Sequence, residues 1–456
     1  MSTQKIFCDT DEVISAVNKI ERLDIKDIAT KKWFDYDDVI QKLAIKSFMC
    51  AERHESEFIK DNLIEFEKIP ILVHNLVIIE FWREKILKYL LTSANEDVLY
   101  FYNFILNNEL NLCNLLEIIL FYPEAVEELN DTAIDLAEYC HGSICRLVQL
   151  AENELLKPRI VNLLIGDCEG SQGTKNETCT RIAWHEYQTG LKSLNIIRYL
   201  IENSCNASEN ILPGSISKHL LVTLDVPMVL VRLFELRPWY LSEKHEWQEN
   251  GSITKKCSVV SKSEGQLWLA LYTILMNKST IYDLKSNYRR EAIMKLRSYL
   301  TDVRIDVLPI LSNLRYCIET MSLGCSDCPS DKFSGLYLIE CIPEVREGLI
   351  KKYKDLWDVL AMDFLEYAKS YDGKQTIQKG ISRWLNFLEN DETQECLRIQ
   401  ESRKCNGLKE DEDEKHFCAF CNETSSLKCS RCKNVWYCSK ACQIQHWKRH
   451  KAYCTS

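Results

Sequence analysis

The C-terminal segment 418–454 constrains this chain more tightly than any other stretch. Cys418, Cys421, Cys429, Cys432, Cys438, Cys442, His450 and Cys454 follow one another as C-x2-C-x7-C-x2-C-x5-C-x3-C-x7-H-x3-C. Thiolate sulfur and imidazole nitrogen are the donors a tetrahedral structural Zn²⁺ takes, and eight of them make two closed four-ligand sites. No position is left for a metal-bound water, so the expected role of the two Zn²⁺ is structural and not hydrolytic. A segment of about 40 residues cannot bury enough apolar surface to offset its chain entropy, whereas structural zinc supplies roughly 10–16 kcal/mol in peptide systems. One competing donor stays open at this point, because His446 shares a helical face with Cys442, His450 and Cys454 at i, i+4 steps.

The other cysteines are scattered singly, as at Cys50, Cys113, Cys140, Cys145 and Cys257. In a long chain that opens with MSTQKIFCDTDEV, which has neither a basic-then-apolar leader nor an Arg-rich transit segment, they read as reduced core residues and not as a disulfide framework. The most apolar stretch, ILVHNLVIIEFW at 71–82, is broken by His74 and Glu80 well short of a membrane span, so no transmembrane segment is expected. Charge is unevenly placed. Residues 415–456 hold eight Lys and Arg against Glu423 alone, while the whole chain carries −10. An acidic body makes nucleic acid an unlikely partner, and the lysines of the tail form a solvated, steering face.

Ahead of this module the apolar residues recur at helical spacing. Leu112, Leu115, Leu116, Ile119 and Leu120 form one face of a helix, and similar patterns run through 192–201, 266–275 and 356–368. Strand-like alternation is scarce. Pro70, Pro227, Pro309 and Pro343 each precede an apolar face, which suits the first turn of a helix, where a missing N–H costs nothing. These features predict a mainly α protein, an irregular armadillo- or HEAT-like helical body followed by a small double-zinc finger. The expected organisation is a helical body in two halves, 1–165 and 181–400, divided by a flexible loop at 166–180 (GDCEGSQGTKNETCT), then an acidic tether at 401–415 and the finger at 416–456.

No catalytic signature accompanies this pattern. G-x-G-x-x-G, G-x-x-x-x-G-K-[ST] and G-x-S-x-G are missing, and no His-Glu pair has the second histidine of H-E-x-x-H. The chain is expected not to be an enzyme.

The ligand spacing resembles the MYND-type zinc finger family at every donor. That resemblance implies interleaved sites, with Cys418, Cys421, Cys438 and Cys442 on one zinc and Cys429, Cys432, His450 and Cys454 on the other, and it leaves His446 beside the metal and not on it. It further implies a module that binds short proline-containing peptides or partner domains, with Ser430, Gln443 and Trp447 at the peptide-contacting positions. SET-type lysine methyltransferases also carry such a finger, but early in the chain and with an Asn-His-Ser-Cys-type motif, and neither feature occurs here.

The body is similar to the BLU-type MYND zinc finger proteins, factors of axonemal dynein-arm preassembly. The resemblance is carried by LLEIILFYPEAVEELNDTAIDLAEYCH at 115–141, GQLWLALYTIL at 265–275, KLRSYLTDVRIDVLPILSNL at 295–314 and the finger. It implies a cytoplasmic, co-chaperone-like adaptor near the centrosome or basal bodies. Its implied partners are a leucine-rich-repeat assembly factor and Hsp90-linked immunophilin co-chaperones, with dynein chains as clients. The competing expectation is a nuclear corepressor adaptor whose finger reads proline-leucine peptides of transcription regulators.

Overall fold

The face marked out at Leu112, Leu115, Leu116, Ile119 and Leu120 is fully buried, and the helix that carries it is one of a series that builds the body. The computed structural model describes residues 6–398 except 8, 88, 90–95, 154–173, 206–210, 240–244, 248–252, 256–259, 278–281, 283, 285, 323–341 and 397. Of the C-terminal part it describes 420–421, 427–429, 432, 435–451 and 454. The chain divides into two compact units, Met1–Glu401 and Ser402–Ser456.

The principal helices of the first unit are α1 (Lys31–Arg53), α2 (Ile69–Lys85), α3 (Glu96–Ile119), α4 (Thr132–Glu152), α5 (Thr174–Cys205), α6 (Val226–Leu236), α7 (Lys262–Met276), α8 (Asn287–Lys295) and α9 (Leu311–Ser322). They pack in two rows. α1, α3, α5, α7 and α9 each lie against the next of the series, as do α2, α4, α6 and α8, and neighbours in sequence join the rows, most extensively α4 with α5. Alternation of successive helices between two layers is the arrangement of an α-solenoid, and helices ranging from 9 to 32 residues make this one irregular. Pro70 and Pro227 sit in the first turns of α2 and α6 as their spacing predicts. Pro309 instead lies in the turn before α9, and Pro343 is the N-cap of the next helix, α10.

Three further helices, α10 (Glu344–Tyr353), α11 (Trp357–Lys369) and α12 (Tyr371–Leu388), return along the array and do not extend it. α10 packs on α4 and α2, α11 on α3, and α12 on α1 and α3. Asp135 of α4 accepts the backbone N–H groups of Val345 and Arg346 at 3.2 and 3.0 Å, so a carboxylate closes the otherwise unpaired start of α10. Arg346 pairs with the buried Glu80 of α2. Trp357 stacks on Phe81 at 6.0 Å, and Phe364 lies edge-on to Trp82 at 5.2 Å and beside Phe101 at 5.1 Å. Beyond α12, Glu392 accepts from the Ile6 N–H and from Lys46 at 2.8 and 3.2 Å, which ties the end of the body to its beginning.

Between the rows runs a buried polar seam. Arg83 of α2 donates to Glu109 of α3 at 3.0 Å, and Tyr139 of α4 donates to the same carboxylate at 2.9 Å. Burial disfavours the ionised Glu109, but Arg83, with Arg146 and the Tyr139 hydrogen bond, outweighs it and holds its carboxyl below the usual range. His185 of α5, with Nε2 3.5 Å from Glu109, is pushed down to about 4 by burial, with Arg83 and Arg146 adding to the shift.

One expectation is corrected here. Of the segment 166–180 expected as a loop, 174–180 form the first turns of α5, and 166–173 lie outside the described residues. The helix begins at Thr174, and Thr180 at the end of the polar run is already buried, one turn before the buried Ala183. A short antiparallel hairpin, β1 (His245–Trp247) with β2 (Ile253–Lys255), is the strand structure among the described residues of a body that is otherwise helical, as the mainly α pattern predicts. The acidic tether at 401–415 falls outside the described residues.

Candidate metal centre

The second unit is built on a two-residue antiparallel pair, β3 (Leu427–Lys428) with β4 (Trp436–Tyr437), followed by the helix α13 (Lys440–His450). The Cys429 N–H closes the ribbon onto the Val435 carbonyl at 2.8 Å, which brings Cys429 and Cys432 together at the turn. Ser439 caps α13, its hydroxyl accepting from the Cys442 N–H at 3.3 Å, so the helix starts between two cysteines. The described core is very small, with Cys429, Tyr437 and Cys454 buried and Cys432, Val435, Cys438, Cys442 and Trp447 packed against them. Five of these eight are cysteines, so bound metal must supply what apolar burial does not.

The donors converge in two groups, Cys429, Cys432, His450 and Cys454 in one, and Cys421, Cys438 and Cys442 in the other, with the donor atoms of each within 4.8 Å of one another. Tetrahedral Zn–S bonds of about 2.3 Å place two sulfurs roughly 3.8 Å apart, and a sulfur and an imidazole nitrogen roughly 3.5 Å apart. Cys429 Sγ and Cys454 Sγ are separated by 3.9 Å, and Cys432 Sγ and His450 Nε2 by 3.4 Å. In the second group the sulfur separations are 3.3 Å (Cys421, Cys438), 3.5 Å (Cys438, Cys442) and 3.9 Å (Cys421, Cys442). Donor chemistry and spacing therefore fit two structural zinc sites, with Cys418, which lies outside the described residues, as the fourth donor by sequence.

Burial and the adjoining Cys432 and Cys429 thiols push the Cys454 thiol up to about 11. A divalent cation among the four supplies the opposite field and takes the thiolates as ligands. His446 stands beside this group and outside it, with Nδ1 3.0 Å from the hydroxyl of the buried Tyr437 and its ring stacked at 12° on that of His450. That contact steadies the ring that ligates.

Of the positions expected to meet a partner, Ser430 lies outside the described residues. Gln443 and Trp447, one turn apart on α13, are both half-buried. Trp447 meets His450 edge-on at 5.8 Å, so it lies against the metal-bearing helix turn while keeping part of its indole at the surface. Apolar residues that the sequence reading passed over are more exposed, Ile444 by 72% and Phe420 by 49%. Their signal was present: a core this small has no use for an isoleucine set between Gln443 and Gln445.

Residues 418–454 match the MYND finger family. Along the full length, the chain is 23% identical to the Zinc finger MYND domain-containing protein 10 homolog of Drosophila melanogaster over 471 aligned residues, covering 98% of this chain and 99% of that protein. Two further relatives match over short segments, each about the length of the finger. Ubiquitin C-terminal hydrolase 15 of Oryza sativa subsp. japonica is 52% identical over 42 residues, 9% of this chain and 4% of that protein. Egl nine homolog 1 of Homo sapiens is 41% identical over 44 residues, 9% of this chain and 10% of that protein. No solved structure matches the chain. The chain thus carries a C-terminal module that matches the MYND finger family, behind a helical body whose similarity to the Drosophila protein extends over 98% of the chain.

Proposed function

We propose that this chain is a non-enzymatic adaptor in the preassembly of axonemal dynein arms, acting in the cytoplasm near the centrosome or basal bodies. Its MYND finger is a protein-interaction module. In this reading the finger engages a leucine-rich-repeat assembly factor, and the helical body works with Hsp90-linked immunophilin co-chaperones on dynein chains. The observation that carries the proposal is the reach of the similarity, which takes in the helical body as well as the finger. The matches to ubiquitin hydrolases, each about the length of the finger, bring no catalytic domain with them. Two zinc sites filled by protein donors suit a module that holds a surface in shape. An array of helices joined to such a finger offers two contact regions on one chain, which raises effective concentration without new chemistry.

The test is affinity purification from cells building motile cilia, with the intact chain and with Cys438→Ala. Dynein chains and a leucine-rich-repeat partner recovered with the intact chain, the partner being lost with the variant, support the proposal. Recovery of chromatin-bound transcription regulators in place of dynein components would establish the nuclear corepressor reading. No helix among the described residues is long and apolar enough to cross a membrane.

A further inference from the structure

A groove of about 390 Å³ opens on the helical body where α3, α5 and α12 meet, lined among the described residues by these three helices. Its volume is that of a small ligand site, with room for two or three side chains. Three kinds of group line it. Trp184 and Trp384, with Phe104 between the helices, give aromatic faces. Asn103, Asn107 and Gln188 give side-chain amides, each with a donor and an acceptor. Arg181 is the one formal charge among the described lining residues, since burial keeps His185 neutral.

His185 is the observation that makes this more than a surface hollow. It is 4% exposed and lines the groove, and its polar contacts within the protein are long ones, to the Glu109 carboxylate at 3.5 Å from Nε2 and to the Leu106 backbone. A polar group arriving from the groove would give this buried imidazole a better-formed hydrogen bond than it has.

The amides decide what kind of occupant fits. Asn103 and Asn107 are one helical turn apart, a rise of about 6 Å, and alternate residues of an extended or polyproline chain recur every 6–7 Å or so. An extended segment has backbone N–H and C=O groups that need partners, which side-chain amides at that spacing supply. A docked helix has satisfied its own backbone and, at a diameter of about 10 Å, needs a wider apolar trough.

We propose that this groove binds an extended segment of a partner protein, with aliphatic or proline side chains seated against Trp184 and Trp384, backbone groups held by Asn103, Asn107 and Gln188, and an acidic residue paired with Arg181. The site is separate from the finger, so the chain grips partners at two places of different chemistry.

The probe is a linear octapeptide phage library selected on the full-length, zinc-loaded chain, with the enriched peptides resynthesised and titrated by fluorescence anisotropy. Peptides combining aliphatic or proline residues with an acidic one should emerge. Their affinity should fall at least tenfold with Trp384→Ala and with Asn107→Ala. Arg181→Glu should weaken the acidic peptides and spare versions in which the acid is replaced by glutamine, and Trp447→Ala should leave all of them unchanged. Asn107 and Arg181 are exposed, so their variants keep the fold even if Trp384→Ala perturbs it. The proposal is overturned if the selection yields no binder, or if every binder is indifferent to Asn107→Ala and Arg181→Glu.

Discussion

Replacing Gly190 by alanine tests a close helix contact in the body. Gly190 lies in α5 where it crosses α4, and a Cβ there would come 2.7 Å from Leu147 Cβ and 3.2 Å from the Ser143 carbonyl oxygen. Carbon atoms in contact sit about 3.5–4.0 Å apart, so the helices must part by about 1 Å. Neither neighbour can give way cheaply, since the contacts are to a Cβ and to backbone and Leu147 is fully buried. Overpacking of this kind costs roughly 1–3 kcal/mol, against roughly 0.5–1 kcal/mol gained by alanine over glycine in a helix. The net expectation is a loss of about 1–2 kcal/mol. Gly265, in α7, has nothing within 4 Å of its would-be Cβ, so the same substitution there should gain about 0.5–1 kcal/mol from helix propensity alone. Thermal unfolding of the full chain, followed by helical circular dichroism, should move the two variants in opposite directions and separate their midpoints by a few degrees. A Gly190→Ala variant as stable as Gly265→Ala would refute the close approach of α4 and α5.

Further expectations concern the finger and the buried carboxylates. Trp447→Ala should retain both zinc ions yet weaken capture of the finger's partner by about 2 kcal/mol; metal counts from the same samples decide between a groove residue and a core residue, since loss of zinc would place Trp447 in the core. Cys454→Ala, which removes a donor outright, should lose metal and partner together. Chelation should unfold the second unit and leave nearly all helical signal in place; a large fall in that signal would show that the body depends on the finger. In the body, burial pushes Asp37 up to about 7, against the opposing hydrogen bonds from Asn108 and Gln41. Its folded pKa lies above its unfolded one, so its contribution to stability is complete below about pH 4 and is lost as pH rises through about 7. Asp37→Asn should flatten that part of the stability profile of the helical signal, and an unchanged slope would count against the assignment.

The finger was the most legible part of the sequence because metal ligation is written as spacing. Eight donors name their own positions, and the two groups observed contain no donor outside that set. Periodicity likewise showed which face of α3 is buried, since an apolar stripe needs only something to face. It could not show what that something is. The packing of Phe364 on Trp82 and Phe101 joins residues far apart in the chain, and nothing local in 356–368 distinguishes a helix that extends an array from one that returns over it. The polar seam was hidden for a related reason. Arg83, Glu109 and His185 read as ordinary polar positions until three helices bring them together. The boundary at 166–180 is misplaced because glycine content marks where a helix does not run, whereas the polar residues after Gly173 carry no such bar and form the start of α5.

The returning helices set a schedule for how the chain is made. Phe364 is synthesised roughly 260 residues after Phe101, an interval of roughly ten seconds to a minute at ribosomal speed. Throughout it, Phe101 and Trp82 have each other and the rings of α1 to pack on, but the faces of Phe81, Trp82 and Phe101 that Trp357 and Phe364 will cover stay bare. The nascent protein therefore passes through a long stage with aromatic surface open to other chains. Any product that ends before Glu344 would remain in that stage permanently, with its first helices formed and the covering that makes them soluble never supplied.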